Sequence, residues 1–235
     1  MQNFIKVKRQ ELKYYINYHE YLNIKNQLKQ IMQRDQYQTK DAGYFIRSLY
    51  FDDINNAAIT EKLAGIPIRS KYRLRIYKEK QDLIKIERKT KNQYHVIKDT
   101  GIISKEQAKQ ICNKNYNVLL ENKNKNLNSI YFDMKQKYFR PVVIVDYIRD
   151  AYLLKYNQIR ITFDKEIKII PNKSDIFNFN LKTIPVFNPN IIILEIKYNH
   201  FLPEFVKKTL NLKNFVRSSI SKYCTSRLSF VNRYL

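Results

Sequence analysis

Charged side chains recur at every second position in six short apolar segments of this chain. The segments are Glu11-x-Lys13, Arg73-x-Arg75, Lys85-x-Glu87-x-Lys89, Tyr147-x-Arg149, Arg160-x-Thr162-x-Asp164 and Glu195-x-Lys197. Guanidinium and ammonium groups bind phosphate oxygens, and carboxylates bind hard divalent cations. If these segments share one sheet, their polar faces form a basic surface with a few carboxylates, which suits a bound polyanion and a metal ion.

The elements that position these side chains are predicted from the same periodicity. A period of two is typical of β-strands, because successive side chains lie on opposite faces. Strands are predicted over residues 4–17, 44–52, 71–78, 83–90, 93–98, 141–153, 157–164, 167–170 and 191–198. Helices are predicted over 19–33, 55–63, 104–113, 203–210 and 218–230, with weaker signals near 115–121 and 127–137. The expected fold class is α+β, with a mostly antiparallel β-barrel of about eight strands and helices packed outside it.

The chain is strongly basic. Its 44 Lys and Arg residues outnumber 21 Asp and Glu residues, which gives a net charge of +23. Such an excess favours an anionic partner, which is a nucleic acid, a membrane surface or phosphate. With 235 residues, of which 44% are hydrophobic, we expect a single domain over residues 1–235 with its own core.

Composition excludes several kinds of site. The chain has three glycines, so a glycine-rich loop that holds phosphate is excluded. Cys112 and Cys224 form neither a ligand cluster nor a disulfide framework, which favours a reducing compartment. No signal peptide and no apolar run long enough to cross a bilayer is visible, so we expect a cytoplasmic protein without a transmembrane segment.

Each charged segment also has a simpler interpretation. Arg73 and Arg75 fit a solvated sheet face, and Glu87 between two lysines fits cross-strand ion pairs, which are weak when exposed. Repetition of the pattern on several strands favours a binding surface instead. A surface for nucleic acid gains nothing from glutamates, whereas a phosphate site that also holds a divalent ion does. We therefore expect no nucleic-acid partner, with a non-catalytic polyanion- or nucleic-acid-binding module as an alternative.

A series of short motifs occurs in order along the chain. The motifs are Arg9-x-Glu11-x-Lys13-Tyr14, Ser48-Leu49-Tyr50-Phe51-Asp52, Arg73-x-Arg75-x-Tyr77, Glu87-Arg88-Lys89, Lys98, Tyr147-x-Arg149-x-Ala151-Tyr152, Arg160-Ile161-Thr162-Phe163-Asp164, Leu194-Glu195-Ile196-Lys197 and Ser221-Lys222-Tyr223. Their order resembles the vacuolar transporter chaperone (VTC) domain, a polyphosphate polymerase of the triphosphate tunnel metalloenzyme superfamily. Each motif is weak alone, but the ordered set is specific and covers nearly the whole chain.

The resemblance implies a fold, a reaction and partners. The antiparallel barrel would be a triphosphate tunnel whose basic lumen holds a triphosphate and a growing polyphosphate chain, with a C-terminal helix closing one end. Mn²⁺ or Mg²⁺ would bridge the phosphates. The γ-phosphoryl group of ATP would pass to the chain end, and ADP would leave. ATP and inorganic polyphosphate are therefore the expected partners.

The resemblance also implies the roles of individual residues. The catalytic set would be Lys13, Arg73, Arg75, Lys89, Arg149, Arg160 and Lys222. Lys98, Tyr147 and Ser221 would contact phosphate, and Glu195 would be the metal carboxylate. The alternating charge pattern adds Lys197 as a phosphate ligand and Glu87 as a second metal carboxylate.

One departure from the superfamily helps to choose the reaction. Hydrolytic and cyclase relatives, the CYTH group, begin with Glu-x-Glu-x-Lys, whereas this chain has Arg9 at the first position. Losing that carboxylate favours the polymerase and leaves a tunnel triphosphatase, which hydrolyses tripolyphosphate or a nucleoside triphosphate, as the nearest alternative. No SPX-like sensor domain is visible, so regulation by inositol phosphates is not expected. Metal preference, polyphosphate chain length and oligomeric state stay open.

Overall fold

Antiparallel strands joined by helices make up most of the protein. The computed structural model describes residues 9–38, 41–78, 80–93, 95–121, 124–170 and 175–234. Its strands are β1 Arg9–Ile16, β2 Gln33–Arg34, β3 Tyr44–Asp52, β4 Ile68–Tyr77, β5 Lys80–Asn92, β6 His95–Ile103, β7 Arg140–Leu154, β8 Ile159–Ile170, β9 Ile184–Pro185 and β10 Ile192–Asn199. Its α-helices are α1 Tyr18–Ile31, α2 Ala57–Leu63, α3 Lys105–Cys112, α4 Lys125–Gln136, α5 Glu204–Leu210 and α6 Lys222–Tyr234.

The predicted elements agree with this order, with a few differences. The strands predicted over 157–164 and 167–170 are one strand, β8, and the strand predicted over 93–98 continues to Ile103. The apparent break in β8 arises because Lys165 replaces an apolar residue on the buried face, where its ammonium group donates to the Tyr21 hydroxyl. The two-residue strands β2 and β9 were not predicted, and residues 4–8 of the first predicted strand lie outside the described residues.

The strands form a sheet in the order β1-β10-β8-β7-β3-β4-β5-β6, with β2 beside β7 and β9 beside β8. The mostly antiparallel α+β fold is therefore confirmed. The predicted closure into a barrel is not, because closure requires the two end strands to pair, and no pairing joins β1 to β6 in the described part of the chain. Among these same residues, no helix is long and apolar enough to span a membrane.

The chain divides into two compact units. The described residues of the first unit lie within Met1–Tyr44, Tyr147–Ile167 and Phe187–Ile220, and those of the second within Phe45–Asp146, Lys168–Val186 and Ser221–Leu235. Strands β7 and β8 each contribute residues to both units. The expectation of one domain over residues 1–235 stays a prediction.

The first unit buries the apolar faces of β1, β8 and β10 against α1 and α5. Alternation places Leu194 and Ile196 of β10 in this core, so Glu195 and Lys197 lie on the opposite face. Helix α1 begins at a capping box, in which the Asn17 side chain accepts from the Glu20 amide at 2.9 Å and the Glu20 carboxylate accepts from the Asn17 amide at 2.7 Å.

The second unit packs α3 and α4 against the apolar faces of β4 and β5. Leu74 and Ile76 of β4 are buried in this core, which leaves Arg73 and Arg75 on the other face of the strand. Helix α3 begins with a capping box between Ser104 and Gln107. The polar face of each unit is therefore set by the same alternation that fills its core.

Candidate functional site

The polar face of the first unit brings eight charged or polar residues together on four neighbouring strands. This first cluster consists of Glu11, Lys13, Arg149, Arg160, Thr162, Asp164, Glu195 and Lys197. Antiparallel pairing places Lys13 opposite Glu195, and Glu195 opposite Thr162. In the next row of the same strands, Lys197 lies between Glu11 and Arg160. Cations and carboxylates are therefore direct neighbours both across strands β1 and β10 and along each of these two strands.

A buried carboxylate fixes the position of Arg149. The guanidinium Nε and Nη2 atoms donate to the two oxygens of Asp164 at 2.6 and 2.8 Å, and Asp164 is fully buried. The guanidinium also lies 5.4 Å from the centre of the Tyr147 ring, and its Nη2 lies 3.8 Å from a Glu195 oxygen. Gly43, with φ of 101°, packs on the Arg149 main chain, since a Cβ atom there would lie 2.4 Å from the carbonyl oxygen.

Arg160 is held by a second carboxylate. Its Nη2 atom donates to Asp35 at 2.6 Å and to the Tyr44 hydroxyl at 3.2 Å. Asp35 is almost fully buried, whereas the Arg160 side chain keeps 31% of its surface exposed. A bidentate or paired arginine loses less freedom when it binds an anion, so both arginines are oriented before any phosphate arrives.

The two lysines of the first cluster differ in charge state. Burial would lower the pKa of Lys13, but the carboxylates of Glu195 and Glu11 outweigh burial and hold it above its ordinary value. Its ammonium group lies 2.8 Å from Glu11 and donates to the Ile220 carbonyl oxygen at 3.2 Å. Burial lowers the pKa of Lys197 to about 8, despite the nearby Glu195 and Glu11 carboxylates. Lys13 is therefore a permanent cation, and Lys197 titrates within a physiological range.

The surroundings of Glu195 fit a hard divalent cation. The Thr162 hydroxyl oxygen is buried and has no hydrogen-bond partner among the described residues, and it pairs across the sheet with Glu195. Within those residues no three carboxylate, histidine or cysteine side chains gather into a complete metal site. Mg²⁺ and Mn²⁺ commonly take one or two carboxylates and complete their shell with water and substrate phosphates. Glu195 and Thr162 suit that kind of incomplete site.

The polar face of the second unit carries a cluster with more cations. This second cluster consists of Tyr50, Lys71, Arg73, Arg75, Glu87, Lys89, Lys98, Ser221 and Lys222. Glu87 is buried, and one of its oxygens lies 2.6 Å from Arg73 Nε and 3.8 Å from Arg75 Nη1. Its other oxygen forms an ion pair with Lys98. Burial would raise the pKa of Glu87, but these three cations lower it far below its ordinary value.

A row of lysines lies beside this ion-pair network. Strand pairing places Lys71, Lys89 and Lys98 side by side on β4, β5 and β6. The Lys71 ammonium group donates to the Ser221 hydroxyl at 2.6 Å, and the Ser221 hydroxyl accepts from the Cys224 amide at 3.3 Å. Ser221 therefore caps the first turn of α6 and ties that helix to β4.

The predicted site residues belong to these two clusters, except Tyr147, whose ring lies beside Arg149 of the first cluster. The first unit contains Lys13, Tyr147, Arg149, Arg160, Glu195 and Lys197, and the second contains Arg73, Arg75, Glu87, Lys89, Lys98, Ser221 and Lys222. Sequence reasoning missed Glu11, Asp35, Tyr50, Lys71, Thr162 and Asp164 as members of a site. Thr162 and Asp164 could have been predicted, because they follow Arg160 at every second position of the same strand and so lie on the same face. Asp35 had none, since it follows a two-residue strand that was not predicted.

Comparisons with known proteins identify the family. A family model of the VTC domain matches residues 8–231. A solved structure from Hippeastrum, described as a candidate adenylyl cyclase with a dominant triphosphatase activity, is 15% identical with a TM-score of 0.53, covering 93% of this chain and 96% of that chain. A candidate adenylate cyclase from Bacillus halodurans is 12% identical with a TM-score of 0.51, covering 91% and 95% of the two chains. Among curated proteins, none matches the chain.

At these identities the two solved structures show a shared fold and nothing further. The match of the family model is independent of them and covers nearly all of the sequence. The motif order, the antiparallel fold and this match agree. The chain therefore belongs to the VTC domain family.

Proposed function

We propose that the protein is a metal-dependent polyphosphate polymerase that transfers the γ-phosphoryl group of ATP to the end of a polyphosphate chain. The observation that carries this proposal is the arrangement of cations in the second cluster. Along β4 they stand at Arg75, Arg73 and Lys71, in successive rows about 7 Å apart, since alternate residues of a strand are separated by two steps of about 3.4 Å. Cations spread along a line suit a linear anion that carries charge on every unit.

The chemistry needs cations more than it needs a nucleophilic side chain. A terminal oxygen of the polyphosphate chain forms a bond to the γ-phosphorus of ATP, the bond from that phosphorus to the bridging oxygen breaks, and ADP leaves. Phosphoryl transfer is accelerated mainly by positioning and by stabilising charge on the transferred group. Because the acceptor is itself an anion, cations must also offset repulsion between the two substrates.

The chain's own residues supply these functions in a preorganised form. Asp164 orients Arg149, Asp35 orients Arg160, and Glu87 orients Arg73. Each arginine keeps donors that its carboxylate does not occupy, because a guanidinium has five N–H groups. Lys13 holds its charge at all working pH values. We propose Lys89, Lys98, Tyr147, Lys197, Ser221 and Lys222 as further phosphate ligands.

A divalent metal would be held in the first cluster by Glu195, with Thr162 beside it. When bound, Mn²⁺ or Mg²⁺ supplies positive charge to the phosphate oxygens. Glu87 stays a second candidate ligand. Cations contact both carboxylates: three surround Glu87, and Lys197 at 2.8 Å and Arg149 at 3.8 Å lie beside Glu195. We propose ATP and inorganic polyphosphate as the partners and the cytoplasm as the location, with either Mn²⁺ or Mg²⁺ as the metal.

The proposal is tested by incubating purified protein with ATP and Mn²⁺ or Mg²⁺ and resolving the products on a polyacrylamide gel. We expect a ladder of polyphosphate that requires the metal and disappears when a chelator is added. Free phosphate without a ladder would identify a triphosphatase instead. Tight tripolyphosphate binding without turnover of ATP would identify a polyanion-binding module.

A further inference from the structure

Tyr50 places a phenol hydroxyl among the cations of the second cluster. On β3 it pairs with Arg73 of β4, so both side chains lie on the same face of the sheet. Its hydroxyl oxygen accepts a hydrogen bond from Arg73 Nη1 at 3.4 Å, and the side chain is 6% exposed. The hydroxyl proton has no acceptor among the residues that the structure describes. A buried donor without an acceptor is costly, unless a ligand supplies one.

The Tyr50 ring is held in place from α6. It lies 5.3 Å from the Tyr223 ring, and the Tyr223 hydroxyl donates in turn to the buried carboxylate of Asp52, two residues after Tyr50 on β3. Asp52 also accepts from the amides of Asp53 and Ala58, so its own position is fixed. Packing against Tyr223, which Asp52 holds by a hydrogen bond, therefore fixes the orientation of the Tyr50 ring and its hydroxyl.

The surroundings of this hydroxyl attract an anion. Burial would raise the pKa of Tyr50, but Arg73, Arg75 and Lys222 outweigh burial and lower it. The positive charges that favour phenolate oxygen also favour the oxygen of a phosphate at hydrogen-bonding distance from the phenol. Arginine and lysine donate only, so none of these three neighbours can accept the Tyr50 proton.

We propose that the Tyr50 hydroxyl donates a hydrogen bond to a phosphate oxygen of the substrate, and that Tyr223 and Asp52 are its positioning residues. This inference rests on the proposed phosphate chemistry and adds a neutral ligand to it. A neutral donor binds phosphate without adding to the repulsion among the cations. It also contacts one defined oxygen, whereas a lysine ammonium group attracts any nearby negative charge.

The test replaces Tyr50 with Phe, which keeps the ring and removes only the hydroxyl. The matched control is Tyr116→Phe, because Tyr116 is also buried in the second unit but donates to the Phe139 carbonyl oxygen away from the cations. Binding of metal-free tripolyphosphate is measured by calorimetry, and ATP kinetics and thermal melting are measured on the same samples. We expect Tyr50→Phe to weaken tripolyphosphate binding by about tenfold or more, the range of a hydrogen bond to a charged group.

Tyr223→Phe separates positioning from packing. It should weaken tripolyphosphate binding by less than Tyr50→Phe does, and it should have little further effect in a Tyr50→Phe background, since both changes act through one hydrogen bond. Equal affinities of wild type, Tyr50→Phe and Tyr116→Phe would overturn the inference while leaving the polymerase intact. If Tyr50→Phe weakens tripolyphosphate binding but the wild type makes no ladder, the inference is supported and the polymerase is refuted. Wild type that does not bind tripolyphosphate would refute both.

Discussion

Replacing Asp164 with Asn tests whether the first cluster depends on a buried ion pair. The substitution keeps the shape of the side chain and one accepting oxygen, but it removes the carboxylate that pairs with Arg149 and leaves Glu195, 3.8 Å from Nη2, as the nearest negative charge. Asp164 is fully buried, and the Arg149 side chain is 10% exposed. Asp35→Asn is the matched control, because Asp35 also holds an arginine, but Arg160 is 31% exposed and its charge stays solvated.

The two variants should differ in stability. Removing one partner of a buried pair costs about 3–5 kcal/mol, and because Asn keeps one acceptor we expect about 3 kcal/mol for Asp164→Asn. Because the Arg160 charge stays solvated, Asp35→Asn should cost about 1 kcal/mol or less. For a chain of this size, about 1 kcal/mol lowers the melting temperature by about 2–4 °C. Asp164→Asn should therefore lower it by about 6–12 °C, and Asp35→Asn by no more than about 2–4 °C.

Thermal melting followed by circular dichroism and denaturant titration provide two independent measurements of this difference. Turnover in the ladder assay should fall in Asp164→Asn below its melting temperature, because Arg149 loses its fixed orientation. The reasoning is refuted if Asp164→Asn melts within 1–2 °C of wild type, a shift that corresponds to less than about 1 kcal/mol. It is refuted equally if the Asp35 control loses more stability than Asp164→Asn.

Three further predictions concern charge. Glu195→Gln should lower turnover by about 10²-fold or more, while metal-free tripolyphosphate binding persists or tightens because a negative charge has left; near-normal turnover would contradict the metal assignment. Because the pKa of Lys197 is about 8, this lysine loses its charge between pH 7 and 9, whereas arginine in Lys197→Arg stays charged. The wild type should therefore lose more tripolyphosphate affinity over this range than Lys197→Arg does. If the affinities of the two proteins change with pH in the same way, Lys197 does not bind phosphate. Arg75→Ala should lower turnover by about 10²-fold with a small change in melting, since Glu87 keeps two other cations; unchanged activity would place Arg75 outside the site.

Local patterns in the sequence predicted the elements well. Alternation alone separates Leu194 and Ile196, which enter the core, from Glu195 and Lys197, which do not. The capping box of α3 was readable from Ser104 and the residue three positions later. These features depend on neighbours within one turn or one strand, which is the range over which sequence periodicity carries information.

The partners of the site residues depend on tertiary register, which the sequence does not reveal. Lys13 faces Glu195 because β1 pairs with β10, two strands from opposite ends of the chain, and a slip of one residue would reverse the faces. Asp35 reaches Arg160 from a loop without periodicity. The contact of Lys71 with Ser221 requires α6 to return beside β4. The motif order identified the family, but it did not identify which carboxylate orients which arginine.

Glu87 has a consequence for how fast an anion can leave the second cluster. Its carboxylate is an internal counter-ion shared by Arg73, Arg75 and Lys98. A phosphate that binds these cations competes with Glu87 for them. Breaking the existing ion pairs costs free energy, so the net binding free energy of the phosphate is smaller. When the phosphate leaves, the same contacts re-form, and the departing anion never exposes three unpaired charges. In the proposed polymerase, this competition would keep the hold of the second cluster on a polyphosphate chain weak enough at each step for the chain to advance.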